Sequence, residues 1–170
     1  MKKILVATIL IMFVISLVGC DAFDAFKTAE QMPSFELNED GKTYSVVFVG
    51  GELMHSGTRE DEIIIPATYN GLPVTTIATD AISGYYISNV IISEGITSIE
   101  ERGFNGCNSL TSVTIPGTVT KIDNLAFLLC ELLTSITYNG TVEEWNSIAP
   151  GFTMENVIIY CTDGEIRFEP

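Results

Sequence analysis

The sequence predicts a solenoid. Short parallel β-strands stack in one sheet, turns or short helical pieces lie on the opposite side, and an N-terminal β-hairpin forms a cap. Three observations predict it. First, residues 107–127 read CNSLTSVTIPGTVTKIDNLAF, preceded by VIISEGITSIEERGF at 90–104 and followed by CELLTSITY at 130–138. Cys107 and Cys130, Leu110 and Leu133, Ile115 and Tyr138, and Phe104 and Phe127 are each 23 residues apart, as are Ile92 and Ile115, and Ile99 and Ile122. A unit of this length buries its apolar residues only against its neighbours. Second, each unit opens on an alternating run, and period-2 alternation places the alternate residues on one face. Third, each unit closes on a small-plus-large pair.

The N-terminus is expected to lie outside the fold. Met1-Lys2-Lys3 is a short basic start, and Ile4 to Val18 is an apolar run broken only by Thr8 and Ser16. A membrane span needs about 20 apolar residues, so this shorter run reads as a secretory leader. Its end, Leu17-Val18-Gly19-Cys20, resembles the lipobox of bacterial lipoproteins. The resemblance implies a signal peptide over 1–19, cleavage before Cys20, and lipid on the Cys20 sulfur. Residues 20–33 are then the lipidated cysteine and a tether. DAFDAFKTAEQM within it suits a short helix with Phe23 and Phe26 on one side, ended by Pro33.

Residues 34–62 are expected to form the hairpin cap and a loop. Asn38 to Gly41 is a turn signal between two strand-like runs ending near Val49. The hairpin would cover an apolar rung otherwise open to water. Gly50 to Asp61 is a loop carrying His55, the single histidine.

The repeats occupy 63–161. Inward strand pairs are Ile63 and Ile65, Val90 and Ile92, Val113 and Ile115, Ile136 and Tyr138, and Val157 and Ile159. Return-path pairs are Val74 and Ile77, Ile96 and Ile99, and Val119 and Ile122. Closing pairs are Ala81-Ile82, Gly103-Phe104 and Ala126-Phe127. ATYNGLP at 67–73 lengthens the first repeat, and Asn70-Gly71 makes that insertion a turn. The fourth repeat departs after Tyr138. A short helix is expected from Thr141, with Trp145 and Ile148 on one side and Trp145 plugging the core. Residues 162–170 are expected as a C-terminal tail.

Composition excludes several functions. The chain carries 22 acidic against 8 basic residues, a net charge of −14. Such a chain without a basic patch does not suit nucleic acid or other polyanions. The scattered acids suit a soluble surface, and no D-x-D-x-D-G loop supports calcium. Cys107 and Cys130 share one place in successive repeats and point inward. Neighbouring rungs lie about 5 Å apart, so two buried thiols and a disulfide both fit. Cys161 falls out of that register. No C-x-x-C pair, G-x-S-x-G, H-E-x-x-H or phosphate-binding glycine loop occurs. Neither a catalytic residue, a metal site nor a cofactor is assigned, and an enzyme is not expected.

The pattern L-x-x-V-x-I-P-x-x-V-x-x-I-x-x-x-A-F-x-x-C at 110–130 resembles the BspA-like class of bacterial leucine-rich repeat. The resemblance covers about 63–161, closely in the central repeat and loosely at the ends. It implies a right-handed leucine-rich-repeat solenoid, display on a bacterial surface, and a role in adhesion or protein binding. It transfers no binding residue, because recognition varies among members.

Stacking aligns the outward residues of the strands in two rows. One row is expected to hold Glu62, Asn89, Ser112, Ser135 and Asn156. The other would hold Ile64, Ile91, Thr114, Thr137 and Ile158. Two readings fit: β-favouring surface filler, or a recognition strip for a protein or polymer. The expected function is an extracytoplasmic lipoprotein, anchored to the membrane at Cys20, that binds such a ligand at the cell surface without contacting nucleic acid. The alternative is a structural accessory subunit docked to another envelope protein of the same cell, which the short tether favours.

Overall fold

The computed structural model describes residues 34–48, 62–83 and 87–168. The expected leader, Cys20, the tether and the His55 loop lie outside these residues. In chain order the strands are β1 (Ser34–Leu37), β2 (Tyr44–Phe48), β3 (Glu62–Ile65), β4 (Thr68–Tyr69), β5 (Leu72–Ile77), β6 (Asn89–Ile92), β7 (Ser98–Ile99), β8 (Ser112–Ile115), β9 (Lys121–Ile122) and β10 (Ser135–Tyr138). The helix α1 (Val142–Ile148) follows, then β11 (Ile158–Tyr160) and β12 (Glu165–Arg167).

The alternating runs become the main sheet. β3, β6, β8, β10 and β11 run parallel and adjacent, each one repeat further along the chain. Their inward residues Ile63, Val90, Val113, Ile136 and Ile159 stand opposite one another and are buried. Complete burial of one such aliphatic side chain contributes about 1.5–3 kcal/mol. Among the described residues no polar or charged side chain enters this core. That suits a unit whose stability comes from apolar contact between coils.

The return paths form a second sheet. β5, β7 and β9 pair in parallel through Ile77, Ile99 and Ile122. Threonines reinforce both sides. The amide and the hydroxyl of Thr97 both donate to the Thr75 carbonyl (2.8 and 3.1 Å), and those of Thr120 to the Thr97 carbonyl (2.8 and 3.2 Å). Thr111 does the same to Ser88, and Thr134 to Thr111, beside the main sheet. A β-branched hydroxyl suits strands and can still reach a neighbouring backbone acceptor.

The hairpin cap forms as expected. β1 pairs antiparallel with β2, and Gly41 takes a positive φ of 65° in the connecting turn. Asp40 Oδ1 accepts from the Lys42 and Thr43 amides (2.8 and 3.0 Å), which hold its carboxyl below the usual range. β2 continues in parallel onto β5, so the hairpin extends the return-side sheet. The inserted residues 67–73 form a second small hairpin from β4 and β5. Both turn residues are left-handed, Asn70 at 50° and Gly71 at 78°, as a tight two-residue β-turn requires. Tyr69 leaves this turn to stack on Phe35 (4.2 Å) and meet Tyr44 edge-on (5.1 Å).

The far end is closed by aromatic side chains. Thr141 caps α1: its hydroxyl accepts from the Glu144 amide (3.2 Å) while the Glu144 carboxylate accepts from the Thr141 amide (2.7 Å). The cap aims Trp145 and Ile148 inward, as expected. Trp145 meets Tyr138 and Phe152 edge-on, both at 5.5 Å. Phe152 in turn touches Phe127 (5.9 Å) and Phe168 (6.0 Å).

Two expectations at this end are corrected. Ser135 stands opposite Ile158, and Thr137 opposite Tyr160. The residue facing Ile136 is therefore Ile159 and not Val157, and Asn156 precedes the strand in a turn with φ 66°. The coil containing α1 has the same 23-residue length from Ser135 to Ile158 as the coil before it. Val157 looks like a strand residue because it is buried, but it packs from the turn, its amide donating to the Met154 carbonyl (3.4 Å). Within the segment expected as a tail, Glu165–Arg167 forms β12, which pairs antiparallel with β11 and covers its outer edge.

Candidate binding face

Glu62, Asn89, Ser112, Ser135 and Ile158 form the first outward row of the main sheet. Asn156 is absent from it and Ile158 takes its place. Part of this row is occupied internally, because the Ser112 hydroxyl donates to Asn89 Oδ1 (2.6 Å). Its polar groups thus serve the stack as well as the surface.

Ile64, Ile91, Thr114, Thr137 and Tyr160 form the second row. Tyr160 stands where Ile158 was expected. Ile64 is 58% exposed and Tyr160 43%, so the row has an apolar group at each end and threonines between them. Among the described residues no hydrogen bond engages the Thr114 and Thr137 hydroxyls. Rigid parallel strands hold these five side chains in line at the strand spacing of about 4.8 Å. The arrangement can present methyl groups, free hydroxyls and one phenol along a straight track. Sequence reasoning missed Tyr160, although adding 23 to Thr137 finds it.

Charge lies mainly around the coil edges. Arg102 reaches Asp80 with Nε (2.8 Å) and Nη2 (2.7 Å), and Glu101 with Nη1 (3.1 Å). The hydrogen bonds from Arg102 hold the Asp80 carboxyl below its usual range, and Asp80 raises Arg102. Lys121 is held by Glu100 (2.8 Å), which raises its pKa, and Arg167 by Glu165 (2.7 Å). These pairs are solvent-exposed and contribute little to stability.

Cys107, Cys130 and Cys161 are free thiols. Cys107 and Cys130 are buried as expected, donating to the carbonyls of Ile82 (3.4 Å) and Phe104 (2.9 Å) in the coil before each. Hydrogen bonding with Cys107 holds Cys130 below the ordinary thiol range in spite of burial. Burial pushes half-buried Cys161 up, with Asp163 adding to the effect. Among the described residues no three His, Cys, Asp or Glu side chains come together as a metal site. Nor is any described helix long and apolar enough to cross a membrane.

Comparison with known proteins agrees with this architecture. A leucine-rich repeat protein of T. pallidum superposes with a TM-score of 0.55 at 20% identity, over 78% of this chain and 63% of that one. One from Bacteroides capillosus gives 0.54 at 24% identity, over 77% and 94%. One from Bacteroides ovatus gives 0.52 at 19% identity, over 76% and 36%. The chain therefore spans less than two thirds of the T. pallidum and B. ovatus proteins. At these identities the likeness is one of fold. No curated protein matches the chain. The BspA type leucine rich repeat region matches residues 56–158 in six copies. A match over more than half of the sequence, on a solenoid built coil by coil as above, means that the chain belongs to the BspA-type leucine-rich repeat family, whose repeats typically serve as non-enzymatic scaffolds for protein binding.

Proposed function

We propose that this chain is a lipid-anchored, extracytoplasmic binding protein that recognises a protein or polymer ligand with the exposed face of its main sheet. The observation that carries the reading is the second outward row: Ile64, Ile91, Thr114, Thr137 and Tyr160 in register, with exposed apolar ends and unengaged hydroxyls. The lipobox-like Leu17-Val18-Gly19-Cys20 supports anchoring at Cys20. Two or more acyl chains on that residue would hold the protein firmly at the membrane. The family's general role supports protein recognition and adhesion.

The test is proximity cross-linking on intact cells with wild type and Thr114→Arg, read by mass spectrometry. An arginine here places a long charged side chain in the middle of the track without touching the core. Loss of cross-links to molecules outside the cell supports adhesion. Loss of cross-links to a neighbouring envelope protein makes the chain an accessory subunit using the same face. Unchanged cross-links in the variant would refute the binding row. Cys20→Ala should release the protein from the membrane fraction, and continued membrane association would refute the anchor.

A further inference from the structure

The segment 123–132, between β9 and β10, carries four leucines that the fold does not ask for. Leu125, Leu128, Leu129 and Leu132 are 41%, 38%, 59% and 55% exposed. One coil earlier, 23 residues back, the same places hold Arg102, Asn105, Gly106 and Ser109. The two segments are direct neighbours, since the Phe104 amide donates to the Ala126 carbonyl (2.8 Å) and the Gly106 amide to the Leu128 carbonyl (2.9 Å). Polar or small residues therefore satisfy the same turn geometry.

Leu129 is the most telling of the four. Its φ is 60°, in the left-handed region that disfavours a side chain, and its equivalent Gly106 has φ 66°. The chain thus places an exposed leucine at a position suited to glycine. Folding gains neither from the exposure nor from the strain. Apolar side chains clustered on a surface against both costs mark a contact site.

Charge decides what covers it. Glu131 lies within the segment, Asp123 opens it, and Glu155 stands 23 residues on from Leu132. The nearby cations, Arg102 and Lys121, are already held by Asp80, Glu101 and Glu100. A second copy of this chain, at net charge −14, would bring like charge to the same rim. We infer that the leucine edge docks a basic amphipathic segment of a partner protein, with aliphatic side chains on the leucines and lysine or arginine against the acidic rim. This surface is separate from the face of the main sheet.

The test uses the full chain and two synthetic probes, an amphipathic leucine–lysine helix and its leucine–glutamate counterpart, titrated by fluorescence anisotropy. Wild type should bind the lysine peptide and not the glutamate peptide. The double variant Leu129→Gly, Leu132→Ser, which restores the residues of the preceding coil, should weaken binding about tenfold or more. Its circular dichroism and melting temperature should stay near wild type, which separates lost contact from lost fold. Equal binding by wild type and variant would mean that charge alone attracts the peptide, and would overturn the proposal. So would a dimer in sedimentation that the variant abolishes, assigning the edge to a second copy. Absence of lysine-peptide binding, with hydrogen exchange in 123–132 unchanged between wild type and variant, would likewise overturn it.

Discussion

Phe104 and Phe127 lie face to face in successive coils, their ring centroids 4.9 Å apart, and both are buried. The same position of the repeat has stacked on itself. Phe127 also meets Phe152 edge-on, so it joins the repeats to the aromatic closure of the far end. Phe127→Ala should cost about 3–5 kcal/mol in chemical denaturation. A double-mutant cycle with Phe104→Ala should return a coupling of about 0.5–1.5 kcal/mol. Additive losses would mean that the rings do not act as a pair.

Gly117 and Ile115 test how closely the coils pack. A Cβ on Gly117 would come 2.8 Å from the Asn139 carbonyl oxygen, which is backbone and cannot swing away. Gly117→Ala should therefore destabilise by about 1–3 kcal/mol. Ile115 is fully buried, and Ile115→Asp should prevent folding, because it places an unpaired charge in the core. Thr114→Arg, one residue away but outward, should stay within about 0.5 kcal/mol of wild type. Thermal melts of the three variants check this order.

The register of the last parallel strand is open to hydrogen exchange. The Ile158 amide donates to the Thr134 carbonyl (3.0 Å), just as the Ser135 amide donates to the Thr111 carbonyl (3.2 Å). Ile158 should exchange slowly, together with Thr134 and Ser135. Slow exchange at Asn156 and fast exchange at Ile158 would restore the register first expected from the apolar pattern.

Much of the architecture was legible because 23-residue spacing and period-2 alternation are independent signals that agree over 90–138. The return-side sheet was less visible. Ser98-Ile99 and Lys121-Ile122 are too short to show a period, and they become strands because neighbouring coils offer partners. The fifth strand was misread because Val157 is apolar and buried although it lies in a turn. There burial and strand membership part company. Phe152 and Phe168 were not anticipated as part of the closure, since neither falls on a repeat position. The leucine edge was hidden in the same way, because an apolar residue in a repeat reads as core until its neighbours show which way it points.

The cysteines should separate by reactivity. Burial and Asp163 raise the pKa of Cys161 above the ordinary thiol value of 9.0, so its thiolate appears only at higher pH. Yet it is half-buried, while Cys107 and Cys130 are fully enclosed. Alkylation of the native protein followed by mass spectrometry should label Cys161 first, with a rate that climbs through a midpoint above 9.0. The other two should wait for unfolding. Early labelling of Cys130 would show that the coils open locally far more readily than the rest of the packing implies.

The threonine ladder has a consequence for how such a chain can change. Each hydroxyl reaches back to the coil before it, from Thr97 to Thr75 and from Thr120 to Thr97, so these two successive joints are made with the same fitting. A tandem duplication of residues 112–134 would meet a matching socket on both sides. It would lengthen the main sheet by one strand spacing, about 4.8 Å, and leave the hairpin and the aromatic closure untouched as bookends. The sheet can therefore grow or shrink in whole coils while both closures stay as they are.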